Sequence, residues 1–220
     1  MKDPKCAQCK TKPCKLPEGE RPPFPPYCPI INFDELIEEL KSKYKDPETF
    51  NFYLSSAITE KECYDSKAAS RGKIRPLRPR IREIAAFAEK IGAKKIGIAF
   101  CSGLSDEAAR AGAILEKHGL DIVSVVCSCG AVDKTELNIP PEHKVYGSDR
   151  FEAACNPILQ AELLNRAGTA FNVLVGLCVG HDMLFTQWSK APVTTLIVKD
   201  RLTGHNPVIA LYTRYHKDII

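Results

Sequence analysis

Cysteine is the residue type in this 220-residue chain most able to do chemistry, and it occurs ten times. Thiolates bind zinc and iron–sulfur clusters, and they also act as nucleophiles. The chain begins without an apolar signal segment, so we expect a cytoplasmic protein whose thiols stay reduced. Clustered cysteines in such a protein are more often metal ligands or redox groups than disulfide partners. The positions of the cysteines therefore decide the functional interpretation.

Four cysteines lie where predicted strands end or a predicted helix begins. Cys101, Cys127 and Cys178 close three apolar segments, and Cys155 precedes an Asn-Pro helix start. The carboxyl ends of parallel strands share one edge of a sheet, and helix N-termini point at that edge. We therefore predict a four-thiolate site, best suited to a [4Fe–4S] cluster whose negative charge the helix N-termini stabilise. The alternatives are a zinc site, Cys129 replacing Cys127 as a ligand, and buried thiols with no ligand.

A second set of cysteines lies near the start of the chain, at Cys6, Cys9, Cys14 and Cys28. Residues 1–29 also contain eight prolines and few aliphatic side chains, so this segment lacks a core of its own. The Cys-x2-Cys spacing predicts metal-coupled folding around zinc or a second iron–sulfur cluster. The alternative is a disordered arm with oxidisable thiols. Cys63 belongs to neither set and is interpreted as structural.

Hydrophobic periodicity places these cysteines on an α/β architecture. An amphipathic helix over 33–45 with Asn32 as its cap is followed by a helix from Pro47. Further along, the pattern predicts helices over 81–92, 105–118, 156–168, 181–190 and 206–215, capped by Ser105, Asn156 and Asn206, and strands over 94–100, 121–127, 171–178 and 193–200. This alternation predicts a doubly wound parallel sheet of about four strands, in the order 2-1-3-4, with helices on both faces.

The chain divides by composition into three predicted segments. These are a metal-binding Cys/Pro-rich segment over 1–32, a helical and basic connector over 33–80, and the α/β domain over 81–220. Hydrophobic residues make up 44% and charged residues 26%, as in ordinary globular proteins, which excludes collagen-like, coiled-coil and largely disordered chains. No run of about 18 apolar residues is present, so we expect no membrane span.

Four polar residues close to the cysteines are candidate catalytic groups: His181, Asp182, Lys199 and Arg201. They follow the third and fourth predicted strands, where they could handle protons or hold a small anionic ligand. The alternatives are helix capping by Asp182 and solvated ends for the others. Residues 67–82 form a basic run that serves as a connector or recruits anions. The run lacks interleaved aromatic residues and the net charge is only +4, which disfavours a nucleic-acid partner.

Several segments resemble an uncharacterised family of cysteine-rich proteins from bacteria and archaea, described as predicted metal-binding. The similar segments are IGIAFCSG at 96–103, AACNPILQAELLN at 153–165, VGLCVGHDMLF at 175–185, KDR at 199–201 and HNPVIALY at 205–212. The resemblance covers most of the chain and implies metal ligation by Cys101, Cys127, Cys155 and Cys178, with Cys6, Cys9 and Cys14. It favours Cys127 over Cys129 and gives Cys28 less support.

Because the family supplies no reaction, three functional hypotheses follow from the residues. The first is an iron–sulfur redox protein or oxidoreductase that exchanges electrons with a redox partner or a small anionic ligand. The second is a non-catalytic zinc carrier, sensor or adaptor. The third is a thiol enzyme with Cys101 or Cys178 as nucleophile at a helix N-terminus. Motifs for dinucleotide binding, P-loops and serine hydrolases are absent from the sequence.

Overall fold

The computed structural model describes residues 2–69 and 72–213. The chain forms two compact units, Met1–Ile58 and Thr59–Ile220. The boundary between them lies inside the 33–80 segment, after Ile58.

The first unit consists of short turns followed by helices. Three 3-10 turns at Cys6–Gln8, Pro13–Lys15 and Glu18–Glu20 precede α1 (Pro29–Asn32), α2 (Asp34–Lys41), a 3-10 turn at Ser42–Lys45 and the start of α3 (Pro47–Glu62). The prediction that Asn32 caps the following helix is wrong. The Asn32 side chain instead donates to the carbonyl oxygens of Cys28 at 2.9 Å and Pro26 at 3.0 Å, and so closes α1.

The second unit confirms the predicted alternation of helices and strands. Its elements are α4 (Ser66–Ala69), α5 (Arg80–Lys90), β1 (Lys95–Phe100), α6 (Ser105–Glu116), β2 (Asp121–Val126), α7 (Pro157–Ala167), β3 (Asn172–Val175), α8 (His181–Trp188), β4 (Val193–Ile197) and α9 (Val208–Tyr212). The third and fourth strands are shorter than predicted, and the predicted helix residues 214 and 215 lie outside the described residues.

All four strands are parallel, in the order β2-β1-β3-β4, which confirms the predicted topology. The first crossover, from β1 to β2, runs towards one side of the sheet, and the later strands β3 and β4 lie on the other side of β1. The strand order therefore reverses between β1 and β3. Right-handed crossovers in this order put α6 on one face and α7 with α8 on the other, and α7 packs against α8. Phe100 lies opposite both Val126 and Val175, so the residues that follow these strands share one edge.

The core is built on the two central strands. Ile96, Ile98, Val173 and Val175 are completely buried, as expected for parallel strands covered on both faces. Gly97 is required at the centre of β1, because a Cβ atom there would lie 2.1 Å from the side-chain oxygen of buried Asn172.

Of three N-cap residues predicted for helices of the second unit, one caps its helix and two do not. Asn156 caps α7 as predicted, since its Oδ1 accepts the Leu159 N–H at 3.0 Å. Ser105 is not a cap but the first residue of α6, because a 3-10 turn at Ser102–Leu104 leads directly into the helix. Asn206 is not a cap either, because Pro207 occupies that position before α9.

Candidate functional site

The candidate site lies at the carboxyl edge of the sheet. Cys101 directly follows β1 and Cys127 directly follows β2, as predicted. Cys178 comes three residues after the end of β3 rather than at its end. The chain turns there at Gly176, whose φ of +69° and tight approach to Leu104 exclude a larger side chain.

The structure brings together the four cysteines predicted to form this site, Cys101, Cys127, Cys155 and Cys178, here called the edge thiols. Cys127 interacts electrostatically with the thiols of Cys155 and Cys101. Cys155 also interacts electrostatically with Cys101 and Cys178. A backbone hydrogen bond of 2.7 Å from Asn156 N–H to the Cys127 carbonyl holds the Cys155 segment beside β2. Four separate elements therefore supply one group of thiols.

Nitrogen donors surround these sulfur atoms. Lys199 Nζ lies 3.2 Å from Cys101 Sγ, and Arg201 Nη2 lies 3.0 Å from Cys178 Sγ. The backbone N–H of Ser102 donates to Cys127 Sγ at 3.3 Å. Because β4 ends at Ile197, Lys199 and Arg201 belong to the following loop and not to the strand end that the sequence suggested. Two cationic side chains and one backbone donor therefore lie against three of the edge thiols.

The pKa values of Cys127 and Cys155 shift in opposite directions. Donation from Cys155, with further donation from the Ser102 backbone, lowers the pKa of Cys127 to about 5. The same contact raises the pKa of Cys155, which keeps its proton as the donor. Cys178 in turn raises the pKa of Arg201, the guanidinium that donates to it. This contact therefore favours the thiolate form of Cys127 and the thiol form of Cys155.

Cys129, the competitor of Cys127 in the same loop, lies in a different environment. Its Sγ faces the Asn156 carbonyl at 3.9 Å. Burial and the charge of Cys127 raise the pKa of Cys129. The geometry therefore favours Cys127 over Cys129 as the member of the edge group.

The two candidate catalytic residues at the start of α8 behave differently. The Asp182 carboxylate accepts the N–H groups of Gly180 at 3.0 Å and Met183 at 2.8 Å, which orders the helix start. His181 donates its backbone N–H to the Cys178 carbonyl at 2.9 Å. Within the described residues its Nδ1 is buried without a hydrogen-bond partner. His181 is thus the group near Cys178 with unused hydrogen-bonding capacity.

Gln160 is a residue of this edge that the sequence analysis missed. It is completely buried in α7, and its Nε2 donates to the carbonyl oxygens of Val125 at 2.8 Å and Phe100 at 3.3 Å. The side chain therefore ties together the ends of β1 and β2, one residue before Cys101 and two residues before Cys127. A polar residue on the apolar face of a predicted helix was the available signal.

The N-terminal cysteines are placed differently. Cys6 and Cys14 are exposed, Cys9 is partly buried and Cys28 is buried. The Lys12 N–H donates to Cys9 Sγ at 3.4 Å. Over residues 2–69 and 72–213, no three or more His, Cys, Asp or Glu side chains are arranged to hold a metal ion. Metal binding by either set of cysteines therefore stays a prediction.

Cys63 and the basic run fit structural roles. Cys63 is buried and donates to the Thr59 carbonyl at 3.0 Å. Within the basic run, Arg78 bonds Glu62 at 2.8 Å and Arg80 bonds Thr194 at 2.7 Å. Arg71 lies outside the described residues. These arginines tie the basic run to the unit that contains Glu62 and Thr194.

The fold and site together define an α/β protein with four cysteine thiols at the carboxyl edge of a doubly wound parallel sheet. The chain belongs to a family described as "Protein of unknown function (DUF1847)", whose model matches residues 28–196. It is 40% identical over 212 residues to the uncharacterized protein MJ0455 of Methanocaldococcus jannaschii, covering 96% of this chain and 95% of that protein. The family resemblance seen in the sequence is therefore confirmed.

The matched region contains all four edge thiols and begins at Cys28. Among the described residues, no helix combines the length and apolar character needed to cross a membrane.

Proposed function

We propose that the four edge thiols bind an iron–sulfur cluster and that the protein is a redox protein using it. The supporting observation is the group itself: four thiols from four elements interact, and Cys101, Cys127 and Cys178 each accept an N–H donor. Hydrogen bonds to cysteine sulfur stabilise such clusters and tune their reduction potentials. Buried thiols without a ligand would not require two cations beside them.

The donor set fits a cluster better than a single ion. A zinc ion needs its thiolates to converge on one point, at about 2.3 Å from the metal, whereas the edge thiols come from four separate elements. A four-iron cluster takes one thiolate for each iron, so its ligands need not meet at a point. With four thiolates the cluster carries a charge of about −2, which Lys199, Arg201 and the Ser102 N–H would offset.

The residues around the edge thiols have separate roles in this proposal. When bound, the cluster would supply one-electron transfer. Lys199 would balance the charge near Cys101. Arg201 is exposed and would present a cation beside Cys178 to a redox partner or a small anionic ligand. His181, with its buried and unpaired Nδ1, would donate or accept a proton close to Cys178.

The N-terminal cysteines form a second proposed site, holding zinc or another cluster. Its support is the Cys6-x2-Cys9 spacing and the 3.4 Å hydrogen bond from Lys12 N–H to Cys9 Sγ. Backbone donation to the second sulfur of a Cys-x2-Cys turn stabilises the thiolate that a metal requires. Cys14 and Cys28 would complete the ligand set, with folding coupled to metal binding.

The test of the main proposal is metal and sulfide analysis of the full chain purified without oxygen. We expect brown protein that absorbs near 400 nm, as iron–sulfur proteins do, with iron and acid-labile sulfide in equal amounts. Cys129→Ser is the matched control, because Cys129 lies in the same loop as Cys127 but faces Asn156, and it should keep the cluster. Colourless protein that contains only zinc would overturn the proposal.

A thiol enzyme is the second candidate, favoured by the cations that contact its proposed nucleophiles, Lys199 at Cys101 and Arg201 at Cys178. A neighbouring cation activates cysteine by stabilising the thiolate. Alkylation of metal-free protein followed by peptide mass mapping tests this candidate. It predicts that Cys101 or Cys178 reacts first and that Lys199→Met slows Cys101. Equal rates in the variant and the wild type would exclude a role for Lys199 in activation.

A further inference from the structure

The long loop between Cys127 and Cys155 is held together by charged groups and not by an apolar core. Its buried residues are Asp133, Glu152 and Ala154, so two of the three are carboxylates. The large apolar side chains of the loop face solvent instead, with Tyr146 70% and Phe151 64% exposed. Buried carboxylates are unfavourable unless they are paired and hydrogen-bonded, so their placement here calls for specific partners.

Asp133 has those partners. Its Oδ1 accepts the Thr135 N–H at 2.9 Å and the Thr135 hydroxyl at 2.7 Å, and it pairs with Lys144 Nζ at 2.8 Å. Its Oδ2 accepts the Glu152 N–H at 2.8 Å, from a residue 19 positions further along the chain. The Lys144 side chain is only 5% exposed, and its Nζ also donates to the Arg150 carbonyl at 2.9 Å. One carboxylate thus binds both ends of the loop.

Backbone hydrogen bonds next to the Asp133–Glu152 contact extend the pairing of the two loop ends towards Cys155. The Lys134 N–H donates to the Glu152 carbonyl at 3.0 Å, and the Ala154 N–H donates to the Val132 carbonyl at 2.8 Å. Together they form a short antiparallel bridge between Asp133 and Ala153, two residues before Cys155. The Glu152 side chain strengthens the bridge by pairing with Lys134 and accepting the Tyr146 N–H at 3.0 Å.

We propose that Asp133 is a positioning residue of the candidate site, whose carboxylate joins the two ends of this loop and so holds Cys155 against Cys127. The apolar core of the sheet cannot supply this restraint, because the loop contributes only one small apolar side chain to the interior. The placement of Cys155 stands on the contacts described above. Its consequence for a cluster rests on the proposed function.

The test measures the contact between Cys127 and Cys155 directly in the full chain after metal removal. Dibromobimane bridges two neighbouring thiols by alkylating each, and peptide mass mapping identifies the bridged pair. We expect Asp133→Asn to slow bridging of Cys127 to Cys155 about tenfold or more, because the amide loses its charge partner and places a donor against a buried N–H. The melting temperature of the sheet should stay close to that of the wild type.

Two further variants keep the test decisive. Lys144→Met retains the buried stem and leaves Asp133 its other donors, so we expect a smaller loss of bridging. Asp121→Asn removes an exposed pair with Lys95 at the opposite edge of the sheet and should bridge as fast as the wild type. Wild-type bridging rates in folded Asp133→Asn would overturn the proposal. So would a parallel fall in melting temperature and bridging in both loop variants, because that pattern reports a general loss of stability.

Iron analysis of the same proteins separates this inference from the proposed function. If the wild type holds a cluster, Asp133→Asn should contain less iron than the wild type and Asp121→Asn should not. If the wild type holds no iron while Asp133→Asn still loses bridging, the cluster proposal fails and the positioning role stands. If iron is present and bridging is unaffected, the positioning role alone fails.

Discussion

The two groups of four cysteines differ in what holds their side chains in place. The edge thiols follow strands of one parallel sheet or the loop beside it, and they interact electrostatically with one another. The N-terminal cysteines lie on 3-10 turns and a helix start in a proline-rich segment, where two of the four are exposed. The comparison shows that a sheet brings thiols together through its own apolar core. The N-terminal segment has few apolar side chains, and we expect its order to depend on a bound metal.

The largest expected effect is the selective loss of metal from one group of cysteines when a single cysteine of that group is replaced. Cys178→Ser should abolish iron and sulfide at the edge thiols and leave any N-terminal metal in place. Cys9→Ser should do the reverse, because each variant removes one ligand from only one group. Anaerobic metal and sulfide analysis of both variants checks this prediction. Loss of both metals in either variant would show that the groups are not independent.

Metal removal should change the protease sensitivity of the N-terminal segment much more than that of the α/β unit. After chelation, tryptic cleavage at Lys5, Lys10 and Lys15 should accelerate about tenfold or more, since the segment loses its proposed ordering ligand. Cleavage within the α/β unit should change much less, because its core is apolar. Mass spectrometry of timed digests measures both rates. Equal acceleration in the two units would contradict the distinction drawn between them.

A smaller effect tests the local order beside Cys155. Asn156→Ala removes a side chain that caps α7 and should lower stability by about 1 kcal/mol, or about 2–4 °C in melting temperature for a protein of this size. Asn206→Ala is the matched control, because the same Asn-Pro sequence there does not cap its helix. Thermal unfolding followed by circular dichroism distinguishes them. Equal losses would mean that the cap has no special role.

The smallest effect concerns Glu62 at the end of α3, which forms an ion pair with Lys90 of α5. Hydrogen bonds from Lys90 and then Arg78 hold the pKa of Glu62 below its usual value. Such a depressed pKa contributes stability above the unfolded-state pKa of about 4.3, and that contribution is lost as the pH falls through the lower folded-state value. Glu62→Gln should therefore lower the melting temperature slightly at pH 7 and not at pH 3.

Glu60→Gln, which changes a neighbouring exposed carboxylate, should have no comparable pH-dependent effect. A difference between Glu62→Gln and the wild type that persisted unchanged at pH 3 would contradict the electrostatic explanation.

Some features of the site were predictable because their causes are local. Alternating apolar segments and helix signals place Cys101 and Cys127 directly after strands, and Asn156 with Pro157 starts α7. The cations were placed on a strand end, yet β4 ends at Ile197, and only the path of the next loop brings Arg201 to Cys178. Gln160 was missed because its partners are carbonyl groups of two strands far away in sequence.

The sequence by itself determined the order of the elements, the parallel sheet, the family and the shared edge on which three of the thiols lie. These follow from periodicity and short-range signals, which depend on neighbouring residues alone. Only the tertiary structure decided that Cys127 rather than Cys129 meets Cys155, and that Asp133 closes the loop onto Glu152. Those contacts depend on the paths of loops whose ends meet in space, and no local pattern encodes such a path.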